Sequence, residues 1–150
     1  MTRLYLKYGI GIAVVLIVYF LILKVIGLHV YPVLSAFNGV IIGAGIFMAI
    51  SFYKKTHAEF KFEKGFQAGL FSGFLGSILF TVFMAIYIYH LDAEFATNIL
   101  GNWESNYNYP SLLLATVLIM GLATSFVLTL SFMQLLKESW NTNQNKSENS

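Results

Sequence analysis

The sequence predicts an all-α, polytopic membrane protein with four transmembrane helices packed as a bundle. Three observations predict it. First, four long apolar runs, at about 8–26, 32–53, 65–89 and 111–136, are each long enough to cross a bilayer. Second, the chain is 57% hydrophobic and only 11% charged, whereas soluble domains carry about 25% charged residues. A water-soluble fold of 150 residues could not hide that much apolar surface. Third, small residues recur every fourth position in three of the runs, the pattern that lets helix backbones approach closely in lipid.

The first run follows Arg3 and Lys7 and continues past Lys24 to Ile26. A basic patch before an apolar run also begins a signal peptide. This run is longer than such a segment, and no small-x-small cleavage site follows, so a retained helix is expected. Lys24 lies near its end, where a long side chain snorkels to the headgroups. Gly27 to Tyr31 connects to Pro32, which suits the first turn of a helix.

In the second run Ser35, Gly39 and Gly43 form a small stripe, with Gly45 nearby. Asn38 is its one strongly polar side chain. An amide there is expected to hydrogen-bond to another helix, at about 1 kcal/mol; binding of a small molecule is the alternative use. From Tyr53 to Lys64 comes the most charged stretch, with Lys54, Lys55, His57, Glu59, Lys61, Glu63 and Lys64 interleaved with Phe60 and Phe62, and Phe66 just beyond. It reads equally as a segment lying at the lipid headgroups and as a solvated loop. The basic cluster is short and mixed with carboxylates, which argues against nucleic acid as a partner.

The third run is the centre of the pattern. After Lys64 come about 24 uncharged residues, spanning roughly 36 Å as a helix. Gly65, Gly69 and Gly73 recur every fourth residue, and Ser72, Gly76 and Ser77 widen the stripe. Leu70, Phe71, Leu75, Ile78, Leu79 and Val82 fall opposite it and are expected to face lipid. Tyr87, Tyr89 and His90 read as an aromatic rim at the interface. The long loop from His90 to Pro110 holds Asp92, Glu94 and Glu104 but no Lys or Arg; residues 93–100 suit a short surface helix, and Trp103, Tyr107 and Tyr109 suit interfacial anchors. In the fourth run Gly121, Ser125 and Thr129 form a third small face, which Lys137 closes. Residues 1–137 thus read as one transmembrane domain and 138–150 as a disordered tail, polar and nearly without apolar side chains. Asn145-Lys146-Ser147 matches a glycosylation acceptor but falls on the expected cytoplasmic side.

Positive charges orient the chain. Arg3, Lys7, Lys54, Lys55, Lys61, Lys64, Lys137 and Lys146 fall on one side of the four spans and Lys24 alone on the other. Both termini and the lysine-rich connection are therefore expected in the cytoplasm, with the acidic loop outside.

The sequence offers no reaction centre. There is no cysteine, so disulfides, thiolate metal sites and a Cys nucleophile are excluded. His29, His90, Asp92, Glu94 and Glu104 share the outer side without a metal-ligand spacing, and neither a metal nor a haem is expected. No G-x-S-x-G, H-E-x-x-H or phosphate-loop motif occurs. No span carries a carboxylate near its middle, which argues against a proton-coupled exporter, and no ring-forming motif suggests a channel. The candidate positions are helix-packing residues: Gly39, Gly43, Gly65, Gly69, Gly73, Gly121 and Ser125, with Asn38 as the polar contact.

Three segments carry a family resemblance: Phe62-Glu63-Lys64-Gly65-Phe66-Gln67-Ala68-Gly69 opening the third span, Tyr87-Ile88-Tyr89-His90-Leu91-Asp92-Ala93-Glu94-Phe95 closing it, and Tyr8-Gly9-Ile10-Gly11 in the first. Together they resemble a family of uncharacterised four-helix membrane proteins common in Bacteroidota and named only as a domain of unknown function. Ala93 stands where that family would place a proline. The resemblance implies architecture and a bacterial inner-membrane location, and it carries over no catalytic residue. The expected function is that of a non-enzymatic structural or interaction component of that membrane. Its partners would be the bilayer and a second copy or another membrane protein, and no cofactor is expected. The alternative is a small carrier or a binder of lipids or small molecules.

Overall fold

The computed structural model describes residues 2–28, 31–91 and 109–136. They form four helices: α1 (Thr2–Val25), α2 (Pro32–Thr56), α3 (Phe62–Ile86) and α4 (Tyr109–Leu136). All four are long and apolar enough to cross a membrane, and among the described residues there is no strand. The expected surface helix at 93–100, the loop anchors Trp103 and Tyr107, His29, and the tail all lie outside the described residues.

Local chemistry sets the helix ends. At the end of α1, Gly27 takes the left-handed φ of +77°. This lets the Leu28 amide reach back to the Leu23 carbonyl at 2.8 Å and the Gly27 amide to Lys24 at 3.1 Å, closing the helix with a Schellman motif. Pro32 opens α2, where a missing N–H costs nothing. α2 runs on to Thr56 and α3 starts at Phe62, so the charged connection is far shorter than a membrane-lying segment. Phe60, expected at the headgroups or in a solvated loop, turns inward and packs on the core. The α4 C-terminus is capped from α2: the Lys54 ammonium donates to the Leu136 carbonyl at 3.0 Å, a cation placed where the helix dipole favours one.

α3 is the hub. It packs against α1, α2 and α4, while α1 and α4 lie on opposite sides of the bundle. Its seam with α4 is an antiparallel zipper of period four. Met133 faces Gly65, Thr129 faces Gly69, Ser125 faces Gly73, and at the last step the roles exchange, Ser77 filling the space at Gly121. A small residue on one helix admits a side chain of the other at every rung, so the backbones come close. Buried hydroxyls bond back to their own helix: on this seam Ser125 to Gly121 O at 2.7 Å and Thr129 to Ser125 O at 2.6 Å, and elsewhere on α3 Ser72 to Ala68 O at 2.6 Å. Buried hydroxyls are thus satisfied without a partner helix.

Three isoleucines fill the remaining notches. Ile12 of α1 sits against both Gly45 of α2 and Gly76 of α3. Ile46 and Ile50 of α2 reach Gly73 and Gly69. α1 and α3 run parallel, with Tyr5 on Phe71, Leu75 over Gly9 and Phe20 edge-on to Tyr87 in regular steps.

Two expectations change here. Leu75 does not face lipid; it covers Gly9, because α1 occupies that flank of α3. The exposed strip of α3 narrows to residues such as Phe71, Ile78 and Val82, with Leu70 and Leu79 half-buried. Tyr87 is not part of a rim, being 0% exposed. α3 ends in a π-helical turn, Tyr87–Leu91, and the wider turn brings the consecutive Tyr87 and Ile88 both to the core side. The Lys24 ammonium sits 4.7 Å from the Tyr87 ring centroid, so the snorkelling lysine ends on an aromatic face. Tyr89 and His90 remain exposed.

Lys7 lies 5.6 Å from the Phe52 ring centroid and Lys54 reaches Leu136, which gathers the start of α1, the end of α2 and the end of α4 at one end of the bundle. Among the described residues Lys24 is the one cation at the other end.

Candidate functional site

The helix-packing residues divide into tight and loose positions. A Cβ on Gly73 would stand 2.6 Å from Ser125 Oγ and 2.8 Å from Ile46 Cδ1; on Gly69, 2.8 Å from Ile50 Cδ1; on Gly65, 2.8 Å from the Phe60 ring; on Gly121, 2.7 Å from Ser77 Oγ. These are positions where no side chain fits without movement. Gly43 is intermediate, at 3.2 Å from Leu128 Cδ1. Gly39 departs from the expected close approach: its nearest neighbour is the Thr124 methyl at 3.8 Å, ordinary contact. α2 and α4 diverge there, and the side chain of Ser35 is not among those described.

That divergence opens a cleft of about 170 Å³ to which all four helices contribute. Leu16 of α1, Ile42 of α2, Phe80 of α3 and Val117 and Met120 of α4 supply apolar walls; Asn38, Ser77 and Thr124 are its polar lining. No charged side chain lines it. Asn38 stands about 9 Å along the axis from the start of α2. Its Oδ1 is shielded from solvent and, among the described residues, accepts no hydrogen bond from a protein group. This corrects the expected interhelical bond. Leu16, Ile42 and Phe80 have no donor to give, and the Ser77 hydroxyl lies 3.5 Å from Ser125 Oγ, on the α3–α4 seam. An amide left unpaired in an apolar surround costs about 1–3 kcal/mol, which singles the residue out.

An apolar groove of about 540 Å³ continues from the cleft between the parallel helices α2 and α4. It shares Ala36, Gly39 and Thr124 with the cleft, runs over Gly43, and extends to Phe47 and Phe132. Those two rings meet edge to face with centroids 5.4 Å apart. Sequence reasoning placed Gly39 and Gly43 as contact points and missed this groove, because spacing alone does not say how far apart two stripes end up.

The first span also carries a small-residue face. Gly9 and Ala13, four apart and both buried, are a small-residue pair on α1. A Cβ on Gly9 would meet Leu75 Cδ2 at 2.7 Å. The pair is legible in the sequence as a packing face of α1, whereas its partner, α3, is set by the tertiary structure.

Among the described residues no three His, Asp or Glu side chains come together as a metal would need. His29, Asp92, Glu94 and Glu104 lie outside them. The fold and the cleft define a multi-pass membrane protein, a four-helix bundle with a glycine-notched hub. The chain belongs to the family described as "Protein of unknown function (DUF4199)", whose model matches residues 7–138. No curated protein and no solved structure matches it.

Proposed function

We propose that this protein is a non-enzymatic component of a bacterial inner membrane that holds a small lipid-like molecule in the Asn38 cleft. Both termini and the lysine-rich connection face the cytoplasm in this reading, because basic residues gather at that end. One observation carries the binding role: a carboxamide oxygen buried without a donor, on a side chain that lines a cleft walled by all four helices. Elsewhere the interior is filled, glycine against side chain, and a packing amide would have found a partner in that setting.

A second reading is favoured by the uncovered groove between α2 and α4: a helix of a second copy or of another membrane protein could lie in it. Native mass spectrometry of the protein extracted gently from its own membranes separates the two. The binding role expects a monomer carrying a retained small molecule that Asn38→Leu loses while the bundle keeps its thermal stability. A homo-oligomer or hetero-complex with nothing retained would replace it with the assembly reading.

A further inference from the structure

We propose a second site, independent of the Asn38 cleft and at the opposite end of α2: the α2–α3 connection binds the phosphate of a singly charged anionic phospholipid through Tyr53, Lys61 and Lys64. The end of α2, the connection and the first turn of α3 enclose a cavity of about 330 Å³ lined by Tyr53, His57, Ala58, Glu59, Lys61 and Lys64. Tyr53 is its fixed element. It is only 3% exposed, and its ring lies against those of His57, at a centroid distance of 4.2 Å, and Phe60, at 5.9 Å. Its hydroxyl makes no hydrogen bond to the described residues, yet it is not sealed from solvent as Asn38 Oδ1 is. A tyrosine that buries its ring and leaves its hydroxyl open on a cavity offers a donor held in place.

Lys61 and Lys64 supply the charge. Both are exposed, and among the described residues neither forms an ion pair or a hydrogen bond. Lys7 and Lys54, at the same end, are already engaged, on the Phe52 ring and the Leu136 carbonyl. His57 serves as a wall: its Nδ1, 3.1 Å from the Tyr53 carbonyl oxygen, can only donate to it. Glu59 sets the charge of the ligand. Two lysines against one carboxylate leave the cavity at +1 with His57 neutral, which a single phosphodiester charge neutralises. One hydroxyl and two ammonium groups suit a phosphate, with its charge and several acceptor oxygens. Position selects a lipid over a free anion. Tyr53 and Lys61 stand where two apolar spans end, and their neighbours Phe52 and Phe62 present exposed rings at that level. Those rings gain from the first methylenes of an acyl chain and nothing from a soluble phosphate.

The test titrates the full-length protein in non-ionic detergent with dioleoyl phosphatidylglycerol and, separately, with dioleoyl phosphatidylcholine, counting bound lipid by native mass spectrometry. The expected result is saturable binding of phosphatidylglycerol about tenfold tighter than phosphatidylcholine, the combined effect of two exposed ion pairs and one charge-assisted hydrogen bond. Lys61→Gln together with Lys64→Gln should abolish the preference. Tyr53→Phe, which keeps the buried ring, should reduce it about threefold, and Glu59→Gln should raise it. Arg3→Gln together with Lys7→Gln removes the same charge from the same end and should leave it unchanged. Equal binding of the two lipids to the unmodified protein would overturn the proposal. A loss in the Arg3 and Lys7 pair as large as in the Lys61 and Lys64 pair would assign the attraction to the basic end as a whole and overturn the site; an undiminished preference in Tyr53→Phe would do the same. Release of phosphatidylglycerol by inorganic phosphate would assign the cavity to a soluble anion and overturn the lipid.

Discussion

Consider replacing Gly69 by leucine. A Cβ at this position would stand 2.8 Å from Ile50 Cδ1 and 3.0 Å from both Ile50 Cγ1 and Thr129 Cγ2. Neither neighbour can swing away, because Ile50 and Thr129 are both fully buried. The γ and δ carbons have still less room, so α3 must separate from α2 and α4 together. Overpacking of this kind costs about 1–3 kcal/mol, and here two interfaces share the damage. The adjacent Leu70 is the control. It is half-buried, and lipid tails replace the protein contacts that truncation removes. Leu70→Ala should cost about 0.5 kcal/mol. Reversible unfolding in mixed detergent micelles would measure both, with Gly69→Leu shifting the unfolding equilibrium about tenfold more than Leu70→Ala. A double-mutant cycle sharpens the test: Ile50→Val removes the nearest methyl, so Gly69→Ala should cost less in that background than alone. If Leu70→Ala proves the more damaging, or the cycle shows no coupling, the reasoning about which face of α3 is packed is wrong.

Three other outcomes are expected. Gly39→Ala should leave stability unchanged within about 0.5 kcal/mol, since its Cβ meets only the Thr124 methyl at 3.8 Å, whereas Gly45→Ala should destabilise by over ~1 kcal/mol against Ile12; thermal melts in detergent distinguish them. Lys24→Met should cost about 0.5–1 kcal/mol through loss of its contact with the Tyr87 ring, and Lys24→Arg should restore it in the same melts. The chain has no cysteine, so single cysteines at Lys55 and Tyr89, both exposed, report orientation: a membrane-impermeant maleimide on intact cells should label position 89 and spare 55, and the reverse would invert the topology.

Composition and periodicity were enough for the class of fold. Four runs without charge in their middles can only be satisfied as helices in lipid, and the four helices overlap those runs, α1 beginning earlier, at Thr2, and α3 at Phe62. The period-four stripes likewise named the faces that approach closely, because a glycine notch is a property of one helix. What the notch receives is a property of two. Only the tertiary structure could pair Gly69 with Thr129 and Gly73 with Ser125, put Leu75 over Gly9, and turn Tyr87 inward through a π turn, edge-on to Phe20 of α1. The same limit applied to Asn38. Its polarity in an apolar span was legible, and a partner on a neighbouring helix was the reasonable expectation. Whether that partner exists depends on the separation of α2 and α4 at Gly39, a distance that no local pattern along one helix encodes, and there the helices part and leave the amide oxygen without a donor.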